Sequence, residues 1–471
     1  MGPVNAPTQA EMESVTGRPT PTLGISMDSQ LVFKAYDIRG RTDNGELTPE
    51  LLHKVGGAFV AVVGAKKVAV GRDCRLSSPA LFEGLVAGIT EAGANVVDLG
   101  EVPTDLVYYY SGANPMPGAM ITASHNPAEY NGLKLCREMA APVGADTGLN
   151  EIRDRVLSGI ETPSETTGTV TTVEAAEAYV DHLLAIVEPS SIGRMRVAVD
   201  GGNGMAGVTL SRVFAKLDCA LDGLYLEPDG TFPNHPADPI QPENLVDLVE
   251  MVANGGHDLG VAFDGDADRA FFIDDQAHAV SGSTVTALIA RWMLKRHPGA
   301  SIIHNLITSR AVAEIVAEAG GHAIRTRVGH SYIKQVMAES NAVFGGEHSG
   351  HYYFRDNFRA DSGMLAMLIL MRVISEDGRP LSGLRQDVER YAASGEINLE
   401  VRDPLASIEV AAETYKTATQ DRLDGLSVDL GWGWFNLRAS NTEPLLRLNV
   451  EAPDSDSVDK LVAEITNLLE E

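Results

Sequence analysis

The sequence predicts an α/β protein made of several modules, with a small α+β module closing the chain. Short apolar runs rich in β-branched residues recur at Lys67–Asp73, Gly118–Ser124, Arg196–Asp200, Leu259–Asp264 and Ala300–His304, each running into Gly-rich or polar residues and then a helical pattern. Continuous apolar strands alternating with helices indicate parallel sheets covered on both faces. The end of the chain reads differently. Leu446, Leu448 and Val450 alternate with Arg447, Asn449 and Glu451, the period of a half-buried strand. After Asp454–Ser457, a plausible N-cap, Val458, Leu461, Val462, Ile465, Leu468 and Leu469 form a helical stripe. At roughly 150 residues per domain, 471 residues suggest about three domains. Ligands of such sheets sit in the loops after the strand C-termini, so the strand ends are expected to converge on one cleft.

Composition excludes several functions. An apolar fraction of 44% fits a chain that buries real cores. With 37 Lys plus Arg against 65 Asp plus Glu, the net charge is −28, a poor match for nucleic acid or an anionic membrane. The longest apolar stretch, Met364–Met371, meets Arg372 far short of the ~20 residues a bilayer requires. Cys74, Cys136 and Cys219 lie far apart with no C-x-x-C pair, which argues against a disulfide framework or Cys-zinc site and fits a reducing, cytoplasmic compartment. Residues 1–30, with Pro3, Pro7, Pro19 and Pro21 and no apolar segment, read as a loose tail rather than a signal peptide. Glu161–Thr172 reads as a linker.

Asp264, Asp266 and Asp268 end a strand at i, i+2, i+4 spacing, which in extended backbone puts the carboxylates on one side. Like charges so close call for a cation, and oxygen ligands select Mg²⁺ or Ca²⁺. An EF-hand is excluded because its sixth position is Arg269 and its twelfth Asp275. The plain alternative is a solvated acidic turn. Thr122-Ala-Ser-His-Asn-Pro127 places Ser124 at a strand end without the glycines of a nucleophile elbow. Alone it is an Asn-Pro loop; beside a metal cluster, Ser124 becomes a candidate phosphate carrier with Lys134 as a charge or proton relay. Arg438-Ala-Ser-Asn-Thr-Glu-Pro444 holds the donors a phosphate dianion needs, or is a polar turn. In Gly346-Glu-His-Ser-Gly-His351, Glu347 and Ser349 suit sugar hydroxyls better than a metal, although a plain glycine loop fits too. Gly202-Asn-Gly-Met-Ala-Gly207, with Glu227 about 20 residues on, matches a dinucleotide fingerprint; tight strand–turn–helix packing would need the same glycines.

Together with Ala35-Tyr-Asp-Ile-Arg-Gly40, these segments, in this order, resemble the phosphomannomutase/phosphoglucomutase (α-D-phosphohexomutase) family over almost the whole chain after the tail. The resemblance implies three similar α/β modules with mixed sheets and a smaller fourth domain around a central cleft. They would span residues 31–175 with the phosphoserine loop, 176–278 with the metal loop, 279–388 with the sugar loop and 389–471 with the phosphate loop. It implies that Ser124 is phosphorylated and, with Asp264, Asp266 and Asp268, holds Mg²⁺. The phosphoryl group passes to a hexose monophosphate, giving a hexose 1,6-bisphosphate that turns over and returns its other phosphate. Arg269 and Arg39 would steady the Ser124 phosphate, and Lys134 and His351 would move the proton, with apolar walls lowering the lysine pKa. Tyr36, His330, Glu347 and Ser349 would contact substrate, and Arg438, Ser440, Asn441 and Thr442 would grip its phosphate.

A loop with His348 at its variable position looks like the mannose/glucose branch, since glucosamine-specific relatives typically carry Gln there. The expected reaction interconverts mannose 6-phosphate and mannose 1-phosphate, with glucose phosphates accepted and a hexose 1,6-bisphosphate as activator, in a monomer or weak homodimer. One departure is Asn305–Arg310, where some members carry a substrate-contacting lysine; Arg310 is the available cation. The alternatives are a phosphoglucosamine mutase, an NAD-dependent oxidoreductase or a non-catalytic sugar-phosphate binder. Arg39, Lys134, Arg269 and Arg438 are expected to converge, giving a positive cleft within an acidic chain.

Overall fold

A computed structural model describes residues 31–160, 163–439 and 445–470, whose strands form four sheets. The first contains β1 (Ile38–Arg41), β2 (Lys67–Arg72), β3 (Asn95–Glu101), β4 (Gly118–Ile121), β5 (Tyr130–Cys136) and β6 (Val170–Thr172), in the order β1-β5-β4-β2-β3-β6. Its centre is parallel, as apolar Val68–Val70 predicts, while β5 runs antiparallel to both β4 and β1. Helices Pro49–Val63 and Ser78–Glu91 pack backbone to backbone beside it. A Cβ on Gly88 would lie 1.8 Å from the His53 carbonyl oxygen, and one on Gly84 2.2 Å from that of Pro49. The expected linker is partly sheet: β6 pairs with β3, and Ser164 and Gly168 donate to Glu91 and Thr90 carbonyls. Backbone pairing outweighs the polar composition that makes the segment read as a linker.

The second sheet contains β7 (Arg196–Asp200), β8 (Ala220–Leu224), β9 (Leu259–Phe263), β10 (Ala270–Ile273) and β11 (Ala279–Val280), ordered β11-β10-β9-β7-β8. The third contains β12 (Ser301–Asn305), β13 (His322–Thr326), β14 (Phe344–Gly346) and β15 (Tyr352–Phe354), ordered β13-β12-β14-β15. Both keep a parallel centre and turn antiparallel at one edge. The apolar stretch Met364–Met371 lies in helix Gly363–Asp377, buried in the core that the first three sheets share. A helix apolar all round is a core helix when it is this short. Among the described residues no helix is long and apolar enough to cross a membrane.

The fourth sheet is wholly antiparallel: β16 (Ala392–Glu400), β17 (Thr419–Asp421), β18 (Leu426–Asp429), β19 (Trp434–Ala439) and β20 (Leu445–Ala452), ordered β16-β20-β19-β18-β17. Leu446, Leu448 and Val450 face its core, as their alternation requires. The last helix begins where Asp454 accepts the Ser457 backbone N–H, and it buries Val458, Leu461 and Ile465. Three α/β units and a smaller α+β unit therefore follow one another along the chain. The loops after β4, β9 and β14 contact one another.

Candidate functional site

Ser124 lies three residues beyond β4, in a turn closed by Asn126 N–H to Ala123 O and followed by a second closed by Tyr130 N–H to Pro127 O, both 3.0 Å. It has φ 52°, a left-handed conformation that costs energy for a residue with a Cβ and needs surrounding contacts to hold it. The side chain is buried rather than exposed. Its Oγ donates to Asp264 Oδ2 at 2.6 Å and lies 3.3 Å from His125 Nδ1, while Arg269 Nη2 donates to it at 3.4 Å. Burial, then Arg269 and Arg39, push the His125 pKa well below the usual imidazole value, so this ring stays neutral. Arg39 reaches the same loop by donating to Asn126 Oδ1 at 2.5 Å and Asp37 at 2.6 Å.

The aspartates do not lie on extended backbone. Asp264 follows β9 directly, Ala267 N–H closes a turn onto its carbonyl, and Ala267 has φ 62°. The turn nevertheless brings one oxygen of each carboxylate within 4.8 Å of the others. Lys134, on β5, donates to Asp266 at 2.6 Å and Asp268 at 2.5 Å, and Thr104 donates to Asp266 at 2.5 Å. The expected lowering of the Lys134 pKa does not occur. Burial alone would lower its pKa, but Asp266, Asp268 and Asp264 outweigh burial and raise it. Burial and the Asp266 charge push Asp268 up to about 7. Oδ1 of Asp266 and Oδ1 of Asp268 are buried without hydrogen-bond partners. An all-oxygen set with two orphaned acceptors fits a hard divalent cation such as Mg²⁺.

The loop after β14 docks on the metal loop: Ala270 N–H donates to Gly350 O at 3.1 Å, and Arg269 pairs with His351 as an isolated bridge. His351 Nδ1 lies 3.0 Å from Asp361 and 3.8 Å from Asp268. Asp361 is also paired at 2.6 Å with Lys334, which rests over the Tyr108 ring. Burial opposes charging His351, but Asp268 and Asp361 outweigh it and raise its pKa. Glu347 is already engaged, accepting from Tyr353 at 2.6 Å, Asn305 at 3.0 Å and Gly329 N–H at 3.3 Å. Of about four carboxylate lone-pair positions one remains open. Ser349 lies half-buried on the same loop. Tyr36 donates to Val328 O at 2.9 Å and meets the His330 ring edge-on, joining the first and third units rather than standing free. His330 Nδ1 is buried without a partner, and burial pushes the ring pKa well down.

Arg438, on β19, is paired at 3.2 Å with Glu396, whereas Ser440, Asn441 and Thr442 lie outside the described residues. The Arg310 guanidinium lies against Asp429, Glu451 and the Gly431 carbonyl of the fourth unit. Of the four cations expected together, Lys134 and Arg269 contact the Ser124–aspartate cluster, Arg39 contacts the Ser124 loop, and Arg438 is held by its own sheet.

The dinucleotide pattern is packing. A Cβ on Gly207 would lie 1.8 Å from Leu226 O and one on Gly204 2.6 Å from Gly265 O. Met205 N–H already donates to Gly265 O and Asn203 N–H to Tyr225 O, so chain fills the space a pyrophosphate would need.

Sequence reasoning missed Arg75, Thr104, Lys334 and Asp361, all buried polar groups around the site. The one available signal was Asp73 and Arg75 at the C-terminal end of β2, where ligand-facing loops begin. The others act through partners distant in sequence.

Comparison with known proteins agrees with this geometry. Models of the phosphoglucomutase/phosphomannomutase α/β/α domains I, II and III match residues 30–162, 177–278 and 281–391, and the C-terminal domain model matches residues 396–468. The chain is 40% identical over 442 residues to "Phosphohexose mutases" of Xanthomonas campestris pv. campestris, covering 93% of this chain and 98% of the relative. It is 37% identical over 456 residues to "Phosphomannomutase" of Salmonella montevideo, covering 94% and 100%. A crystal structure of a phosphoglucomutase/phosphomannomutase family protein from Burkholderia thailandensis superposes with a TM-score of 0.86 at 30% identity, covering 94% of this chain and 97% of that one. With four domain models in order and full-length relatives, the chain belongs to the phosphoglucomutase/phosphomannomutase family and is a phosphohexomutase, an isomerase.

Proposed function

We propose that this phosphohexomutase is a phosphomannomutase that also accepts glucose phosphates, working through a phosphorylated Ser124. The observation that carries the mechanism is the meeting of Ser124 Oγ with Asp264 at 2.6 Å and Arg269 at 3.4 Å, across two sheets. In the first transfer, O1 of mannose 6-phosphate attacks the phosphorus on Ser124. The bond from phosphorus to Ser124 Oγ breaks, a bond to O1 forms, and the hydroxyl proton passes to a base. The bisphosphate turns round, its O6 phosphoryl group moves to Ser124 Oγ, and O6 takes back a proton, leaving mannose 1-phosphate.

Mg²⁺ bound by Asp264, Asp266, Asp268 and the Ser124 phosphate would neutralise charge on the moving phosphoryl oxygens. Arg269 donates to both Oγ and Asp264, and Arg39 steadies the loop through Asn126. His351, with Nδ1 fixed by Asp361, is the better placed proton carrier. Lys134, committed to two aspartates, supplies charge.

Two features support the sugar preference: His348 at the variable position of the Glu347–Ser349 loop, and relatives named as phosphomannomutases and phosphohexose mutases. The test is kcat/KM for mannose, glucose and N-acetylglucosamine 1-phosphates side by side, primed with the matching bisphosphate. Mannose and glucose phosphates are expected to lie within about tenfold of one another and at least about a hundredfold above the N-acetylglucosamine substrate. A preference for an N-acetylglucosamine or glucosamine phosphate would overturn the assignment.

A further inference from the structure

Arg75 is the arginine that the mechanism leaves unused. Its side chain has 0% relative exposure, in a loop leaving β2. A guanidinium has five N–H donors, and here each has an acceptor. Nε donates to Asp73 Oδ2 at 3.1 Å, Nη1 to the carbonyls of Pro127 at 2.6 Å and Tyr130 at 3.0 Å, and Nη2 to those of Ser124 at 2.7 Å and Asn126 at 2.6 Å. Four carbonyls within seven consecutive residues, beginning with Ser124 itself, are thus tied to one planar group. Asp73 is fixed in turn by the Ser78 hydroxyl at 2.6 Å and the Arg75 backbone N–H at 3.1 Å. The second unit covers the arrangement: the Phe232 ring lies 5.0 Å from the guanidinium carbon, and a Cβ on Gly230 would come within 2.3 Å of Cys74 O.

We infer that Arg75 is a positioning residue for phosphoryl transfer: its guanidinium is the template that holds Ser124 in its left-handed conformation, with Oγ aimed at Asp264. It points at carbonyls rather than at substrate, so it touches neither sugar nor phosphate. Its charge is matched by adjacent Asp73, which makes its contribution geometric. Five donors in a fixed fork are what such a loop requires, and an ammonium has three donors around a single point. The inference rests on the reading of Ser124 as the phosphoryl carrier.

Full-length wild type, Arg75→Lys and Asp73→Asn are to be compared with Mg²⁺, mannose 1-phosphate and priming bisphosphate, and ³¹P NMR of the phosphorylated protein recorded for each. Misplacing the loop by about 1 Å predicts a loss near a hundredfold in kcat for Arg75→Lys with KM within about threefold. Asp73→Asn keeps the arginine but weakens its anchor, and a loss of roughly tenfold is expected. The phosphoserine resonance should broaden or split in both variants. Adding methylguanidinium to Arg75→Ala should recover at least about tenfold in kcat, and methylammonium should not.

Wild-type kcat in either folded variant, an unchanged ³¹P line, or equal rescue by both cations would overturn the inference. If Arg75→Lys does not fold, Asp73→Asn decides alone. Failure of the underlying reading looks different: wild type itself would turn over without phosphate on Ser124.

Discussion

Lys134→Met tests the electrostatics of the cluster most simply, because it removes one cation and roughly keeps the side-chain volume. In the structure, the ammonium lies 2.6 Å from Asp266 and 2.5 Å from Asp268, at side-chain exposures of 8%, 0% and 1% respectively. A unit charge pair at 4 Å is worth about 4 kcal/mol at an effective dielectric near 20, and breaking a buried pair typically costs about 3–5 kcal/mol. The lower end applies here, because Thr104 still donates to Asp266 and Asp268, pushed up to about 7, can take a proton. At about 2–4 °C per kcal/mol for a unit of this size, metal-free Lys134→Met should unfold at least ~6 °C below wild type. A divalent cation would then take over the neutralising role, and a ligand at a hundred times its Kd adds about 2.7 kcal/mol. Thermal unfolding with EDTA and with Mg²⁺ should therefore show the gap narrowing by more than half in Mg²⁺, with tighter Mg²⁺ binding by the variant in calorimetry. A gap that ignores Mg²⁺, or Mg²⁺ that stabilises wild type more than the variant, would refute the assignment of these aspartates to a metal.

Two further predictions use other parts of the site. Burial pushes Asp105 up to about 7, with Asp268 and Asp361 adding to the rise against hydrogen bonds from Tyr179 and Ser362. The native state therefore binds a proton between about pH 4 and 7 that the unfolded chain has released, so metal-free stability should fall as pH rises through that window, by up to about 4 kcal/mol. Chemical denaturation from pH 5 to 8 should show a shallower slope for Asp105→Asn; an identical slope would remove Asp105 as the cause. Gly265→Ala places a Cβ 2.4 Å from Ser124 O, so the Ser124 loop must shift, and kcat should drop about a hundredfold with little change in KM. Steady-state kinetics with wild-type values would show that the loop tolerates displacement.

The architecture was legible where side-chain period follows burial. The apolar centre of β2, the alternation of Leu446, Leu448 and Val450 and the stripe from Val458 each reported their own surroundings. The linker shows the limit, since its end forms β6, a three-residue exposed strand held by backbone bonds to β3 that leaves no side-chain signal. The chemistry was legible as clusters of residue types, and Asp264, Asp266 and Asp268 do converge, although a tight turn rather than extended backbone brings them together. Environment was not legible. Lys134 is buried beside carboxylates that outweigh its burial, and Glu347 spends three acceptor positions inside the protein. The Lys134 carboxylates lie more than a hundred positions away, and the Glu347 donors are spread from six to forty-two positions away on three segments, which no local pattern encodes. Arg75 went unread for the same reason, since four of its five acceptors are carbonyls some fifty residues downstream.

The central claim is that Ser124 carries the phosphoryl group, and transfer of label tests it most directly. Wild type incubated with Mg²⁺ and ³²P-labelled hexose 1,6-bisphosphate, then digested and analysed by mass spectrometry, should carry close to one labelled phosphate per chain on the Ser124 peptide. That label should chase into hexose monophosphate, while Ser124→Ala should neither take up label nor turn over. Full turnover by Ser124→Ala, or label on another residue, would contradict the account.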